Sequence, residues 1–181
     1  MATIKQKKWT YEEYYNLDDD KRYELIEGEF IEMSPAPTYF HQSISAKLFY
    51  KLYNYTENSK LGETRYAPLD IIFDETNILQ PDIIFISNEN KNIITEKGVF
   101  GSPDLVIEVL SPSTKEKDRK TKFKIYEKFK VKEYWIVDPD NKTAEVYSLG
   151  KDKLVLFFSE KDKIISKLIP GLEILLKDIF S

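Results

Sequence analysis

The sequence predicts a single α/β or α+β domain over residues 1–181, with a mixed β-sheet core flanked by helices and an N-terminal helix and β-hairpin ahead of it. Three observations predict it. First, 181 residues with 41% hydrophobic and 32% charged residues suit one globular domain, long enough to bury most of its apolar surface without staples. Second, the apolar period changes along the chain, from helical spacing up to residue 55 to short β-branched and aromatic runs beyond residue 64. Third, Leu105-Val106-Ile107-Glu108-Val109-Leu110 is apolar on both faces except at Glu108, which is the signature of a central strand.

The elements follow in order. Thr10 caps a short helix over 11–17, with Glu13 at the capping-box position. Residues 22–26 and 29–33 are strands around Glu27-Gly28, a hairpin signal. Pro35 and Pro37 make a turn. Ile44, Leu48, Leu52 and Tyr55 set one apolar face of a helix over 41–55. Residues 64–67, 69–73, 83–86 and 105–110 are strands, and Gly98 and Gly101 bracket the loop before the last of them. Ser113 or Thr114 caps a helix running to about residue 130, with Phe123, Tyr126 and Phe129 facing inward. Strands at 133–137, 143–148 and 154–158 close the sheet, with Asp138-Pro139-Asp140-Asn141 turning between the first two. The apolar stretch 164–169 either packs on the sheet or forms an interface.

Composition removes several chemistries. There is no cysteine, which excludes a disulfide scaffold, a thiolate zinc site, an iron–sulfur cluster and a cysteine nucleophile. His41 is the one histidine, so a multi-histidine metal site is excluded too. No apolar run approaches the roughly 18–20 residues of a membrane span. The first eight residues lack the apolar core of a signal peptide, so a soluble cytoplasmic protein is expected. A net charge of −4 argues against a globally basic nucleic-acid binder, while leaving local patches open.

Two carboxylates stand where carboxylates are costly. Asp82 follows Pro81 and opens the apolar run Ile83-Ile84-Phe85-Ile86; Glu108 lies inside the most apolar strand. A charge entering a sheet must be paired or must ligate a metal. Two close acids raise each other's pKa unless a cation separates them, and carboxylate oxygens suit Mg²⁺ or Mn²⁺. The alternative is that each acid is hydrogen-bonded to backbone or paired with a basic residue. From residue 115 to 130 the chain carries eight basic and three acidic residues, either a local phosphate footprint or a solvated lysine-rich face. Within it Asp118, Lys122 and Tyr126 share one side of the helix.

These residues occur in an ordered set. Tyr23-Glu24-Leu25-Ile26-Glu27-Gly28-Glu29, His41-Gln42, Ala67-Pro68-Leu69-Asp70, Gln80-Pro81-Asp82, Ile107-Glu108-Val109-Leu110 with the Lys122 helix, and Glu133-Tyr134-Trp135-Ile136-Val137-Asp138 together resemble the Uma2 family. That family is restriction-endonuclease-like and lies within the PD-(D/E)XK nuclease superfamily. The resemblance implies a restriction-endonuclease-like fold and a divalent-metal-dependent endonuclease acting on nucleic acid, DNA in the first place, with Mg²⁺ or Mn²⁺ as cofactor. It implies that Asp82, Glu108 and the main-chain carbonyl of Val109 bind the metal. The motif's lysine ordinarily stands two residues after the second acid, where this chain has Leu110; the resemblance moves it to Lys122, with Lys120 or Lys124 the nearest substitutes. Glu24 is implied as a further carboxylate, toward the metal or toward Lys122, and His41 and Asp118 as cleft or supporting residues. Cutting both strands of a duplex with one site per chain implies a homodimer. The runner-up is a catalytically inactive module of the same fold that binds nucleic acid or a protein partner.

Overall fold

The computed structural model describes residues 7–33, 36–150 and 153–181; the turn expected at Pro35 and the first six residues of the expected leaderless start lie outside them. The chain opens with α1 (Tyr11–Tyr15), where the Glu13 carboxylate accepts from the Thr10 N–H at 3.0 Å. The hairpin β1 (Tyr23–Ile26) and β2 (Glu29–Glu32) turns through Glu27 and Gly28, both at positive φ, as a tight primed turn requires. Helix α2 (Tyr39–Asn58) is longer than its apolar spacing predicts. Ile44, Leu48 and Leu52 are buried as expected, but Thr56 rather than Tyr55 takes the next core position, its hydroxyl bonded to that of Thr64 at 2.8 Å.

The strands that follow are β3 (Gly62–Tyr66), β4 (Ile71–Asp74), β5 (Asn77–Leu79), β6 (Ile83–Ser87), β7 (Ile94–Thr95), β8 (Gly98–Phe100) and β9 (Leu105–Val109). After the basic helix and α3 (Phe123–Lys128) come β10 (Glu133–Asp138), β11 (Thr143–Ser148), β12 (Leu154–Ser159), β13 (Lys163–Ile165), β14 (Glu173–Leu175) and α4 (Leu176–Phe180). The larger sheet runs β12-β11-β10-β9-β6-β3, and β9 lies in its interior, parallel to β10 and antiparallel to β6. A second sheet runs β2-β1-β5-β4-β8-β7, and β13 pairs with β14. The expected picture had one sheet. The second is assembled from the hairpin and from β5, β7 and β8, which are only two or three residues long and too short to show a period. Where a loop was expected between Gly98 and Gly101, β8 forms instead.

The pleat divides the core. Ile83, Phe85, Leu105, Ile107, Val109, Trp135 and Val137 face α2 and the C-terminal segment. Ile84, Ile86, Val106, Tyr134 and Ile136 face the second sheet and α3. Glu108 alternates onto this second face, with Val106. Each fully buried Leu or Ile contributes about 1.5–3 kcal/mol. That is why the stretch 164–169, left between two roles above, settles on the sheet: Ile164 and Ile169 join the first cluster.

Candidate active site

Strand β9 is antiparallel to β6, so the C-terminal end of one meets the N-terminal end of the other. Their last pair on that side is Ile83 with Ile107, and one residue beyond it stand Asp82 and Glu108. Asp82 is no longer in the ladder through its backbone alone. Its Oδ2 accepts from the Val109 N–H at 2.7 Å, so side chain replaces main chain as the acceptor. His41, in the first turn of α2, donates through Nε2 to the Val109 carbonyl at 2.8 Å and lies 3.3 Å from Asp82 Oδ2. Burial would lower the histidine's pKa, but its bond to Asp82 and the charge there outweigh this and raise it.

Glu108 meets two donors. Lys122 Nζ lies 2.8 Å from its Oε1, and the Tyr126 hydroxyl donates to the same oxygen at 2.7 Å. Burial pushes the Glu108 carboxyl well above its ordinary range; Lys122 opposes this, and Asp118, Asp82 and Glu24 add to it. Glu24, from the first hairpin, is fully buried and holds both Lys122 and Lys117 at 2.8 Å. Its burial penalty is outweighed by the two ammonium groups, so its pKa is lowered. Asp118 Oδ1 is 3.5 Å from Lys122 and has no hydrogen-bond partner among the described residues, and burial raises its pKa. The Lys122 pKa is raised, because the surrounding carboxylates, Glu108 first, outweigh its own burial. Apart from Tyr126, which is buried behind Glu108, these groups line one cleft of about 660 Å³.

A family model, Uma2, described as "putative restriction endonuclease", matches residues 11–177. The chain belongs to the Uma2 family. Its fold is also that of a crystal structure of a "putative nuclease" from Anabaena variabilis, with a TM-score of 0.78 and 21% identity over 94% of this chain and 97% of that one. No curated protein matches the chain.

In this Uma2 chain, Asp82, Glu108, Val109, Lys122 and Glu24 lie in the same cleft, and Lys122 rather than Lys120 or Lys124 reaches Glu108. Lys120 instead pairs with exposed Glu116, and Lys124 faces solvent. His41 and Asp118 are in the cleft; Asp70 is near it, accepting from Tyr14 Oη and Gln80 Nε2. Trp135 and Tyr134 are core. Of the two readings left open for residues 115–130, neither a free phosphate footprint nor a wholly solvated face describes the segment: Lys115 pairs with Asp138, Lys117 with Glu24, Arg119 with Glu145, Lys120 with Glu116, Lys122 with Glu108 and Lys128 with Asp74, so most of its positive charge is paired within the chain. Lys117 and Tyr126 were missed as site residues. Lys117 looks like any other lysine of the run, and Tyr126 reads as core.

The donors present fit a hard divalent cation. Glu108 Oε2 and Asp82 Oδ1 take part in none of the bonds above, and the Val109 carbonyl keeps a second lone pair beside the one His41 uses. Among the described residues no three His, Asp or Glu side chains form a ready cage. Two carboxylate oxygens and one carbonyl are a donor set of the kind Mg²⁺ takes, since it completes its shell with water and substrate phosphate.

Proposed function

We propose that this cleft hydrolyses phosphodiester bonds in nucleic acid, DNA in the first place, with Mg²⁺ or Mn²⁺ held by Asp82, Glu108 and the Val109 carbonyl. The observation that supports the reading most is the convergence of two acids at neighbouring strand ends with the Lys122 ammonium 2.8 Å from one of them. A divalent cation bound there would polarise the scissile phosphate and lower the pKa of a water. The chain's own groups do the rest. Lys122 stays protonated and sets a fixed positive charge beside Glu108, where negative charge grows on the phosphate oxygens. Glu24 and Asp118 hold the lysine in that place. His41 fixes the Val109 carbonyl and Asp82 relative to each other. Tyr126 orients Glu108 so that its other oxygen is free to ligate. A homodimer would set two such sites against the two strands of a duplex.

The test is nicking of supercoiled plasmid and of single-stranded DNA with Mg²⁺, Mn²⁺ or EDTA, by the wild-type chain and by Asp82→Ala. We expect metal-dependent nicking by the wild type alone. Equal nicking by both proteins would identify a contaminant and remove the reading. One observation favours the runner-up, a binding module without catalysis: Lys122 is locked among three carboxylates rather than standing free two residues after Glu108. Nicking that Glu108→Gln abolishes while the protein stays folded decides against it.

A further inference from the structure

The cleft has a second wall that the acids do not explain. Phe49, from α2, and Tyr66, the last residue of β3, both line it. Their ring centroids are 4.7 Å apart, and Tyr53 continues the row 5.4 Å from Phe49. Tyr66 is 61% exposed, so this ring is displayed rather than packed away. The backbone holds it beside the acids. Tyr66 pairs with Ile83, and the next residue, Ala67, donates its N–H to the Asp82 carbonyl at 2.9 Å. Successive strand residues turn to opposite faces, so Tyr66 with Ile83 takes the α2 side of the sheet and Asp82 with Glu108 the other, and the two meet only around the open end of the sheet, where both line one cleft. A ligand spanning that end could touch the rings and the acids together.

An aromatic face displayed to an open, polar cleft suits a flat polar ligand better than an apolar one. A protein segment filling the groove would bury Asp82 and Glu108 against apolar side chains without compensation. A nucleobase would leave the acids to the phosphate side and present its own π-face to the rings. Bases inside a duplex are stacked on one another and offer only their edges, so the wall can be used only by a base that is unpaired.

We propose that Phe49 and Tyr66 form a stacking platform for an unpaired base next to the scissile phosphate, so that the site takes single-stranded or locally unpaired nucleic acid. This rests on the phosphodiesterase reading of the acids. Because most basic side chains of the neighbouring helix are paired within the chain, stacking rather than phosphate neutralisation carries the affinity, and the salt dependence of binding is shallow.

The test is fluorescence anisotropy of the full chain in Ca²⁺ with three probes: a short labelled DNA strand, the same strand in a duplex, and the same strand carrying abasic sites. The intact single strand should bind about tenfold tighter than either of the others. Tyr66→Leu should weaken it about fivefold or more, and Tyr66→Phe, which keeps the ring, should restore it. Thermal unfolding followed by circular dichroism checks the fold of each variant, and exposed Tyr66 carries the test if Phe49→Leu does not fold. Equal affinity for the three probes, wild-type binding by folded Tyr66→Leu, or no DNA binding overturns the platform. Metal-dependent nicking together with equal affinities keeps the hydrolase reading and sinks this one; tight, base-dependent single-strand binding with no nicking in any metal does the reverse.

Discussion

Glu24 receives two ammonium groups at once, from Lys117 and Lys122, both at 2.8 Å, while its backbone neighbours Leu25 and Ile26 are buried in the core. A buried charge deprived of its partner costs far more than the pair contributes, because no water replaces the lost contact. Glu24→Ala should therefore cost about 3–5 kcal/mol in urea unfolding. It should also abolish metal-dependent nicking, since Lys122 loses one of the groups that position it. A loss below about 1 kcal/mol would mean that water reaches the pair. Asp104 gives a second residue-scale prediction, away from the cleft. Burial raises its pKa, but the Lys132 ammonium at 2.6 Å and the Ser87 N–H at 2.7 Å outweigh this and lower it. A carboxyl lowered on folding stabilises above its unfolded pKa and loses that contribution as pH falls through the folded value. The stability advantage of wild type over Asp104→Asn should be full at neutral pH. It should shrink once pH drops below the ordinary aspartate value of 3.8, as urea unfolding across acid pH would report.

At the scale of elements, the helix after β9 is where local geometry departs most from its sequence. The apolar spacing predicts a regular helix to about residue 130, but Lys117–Lys122 forms a π-helical stretch before α3. Positions five apart on an α-helix point about 140° from each other. The wider turn, closed by i→i+5 bonds, brings them nearly onto one face. Lys117 and Lys122 are five apart and both reach Glu24, which a regular helix would not allow. Lys122 was legible because the family motif pointed to it; Lys117 was not, because helical periodicity assumes the turn that this segment abandons. Deleting Lys120 should restore an α-helical turn and swing one lysine away from Glu24. Nicking should fall by at least tenfold, with the global fold retained by circular dichroism. Asp82 and Glu108 drew attention for the opposite reason: Asp82 opens an apolar strand and Glu108 interrupts one, where a charge must be paired, hydrogen-bonded or bound to a metal. Glu24 was named through the family resemblance and not through its own strand, because a short hairpin strand ordinarily turns one face to water, whereas this one is covered by the basic helix.

At the scale of the whole molecule, the last strands and helix complete the face of the large sheet opposite the acids. Ile164, Ile169, Leu172, Ile174, Leu176 and Ile179 pack with α2 against Trp135, Val137 and Val146. Glu133, at the start of β10, pins this segment in place: it accepts from Ser166 Oγ at 2.6 Å, from the Lys167 N–H at 2.9 Å and from Trp135 Nε1 at 2.9 Å. The sequence marked this stretch as apolar but left sheet cover and interface equally open, because part of its partners lie more than a hundred residues back on α2, and neither β13 nor β14 exceeds three residues. Each of the six side chains contributes about 1.5–3 kcal/mol by burial, on a fold whose total stability is of order 5–15 kcal/mol. A chain ending at residue 162 should therefore lose cooperative unfolding and the blue-shifted emission of Trp135. Glu133→Gln keeps the apolar contacts and loses only the charge-assisted bonds, so it should still unfold cooperatively, with a loss of about 1.5–3 kcal/mol. If the truncated chain instead unfolds with wild-type cooperativity, the sheet does not need this cover, and the segment's apolar face is free for another partner.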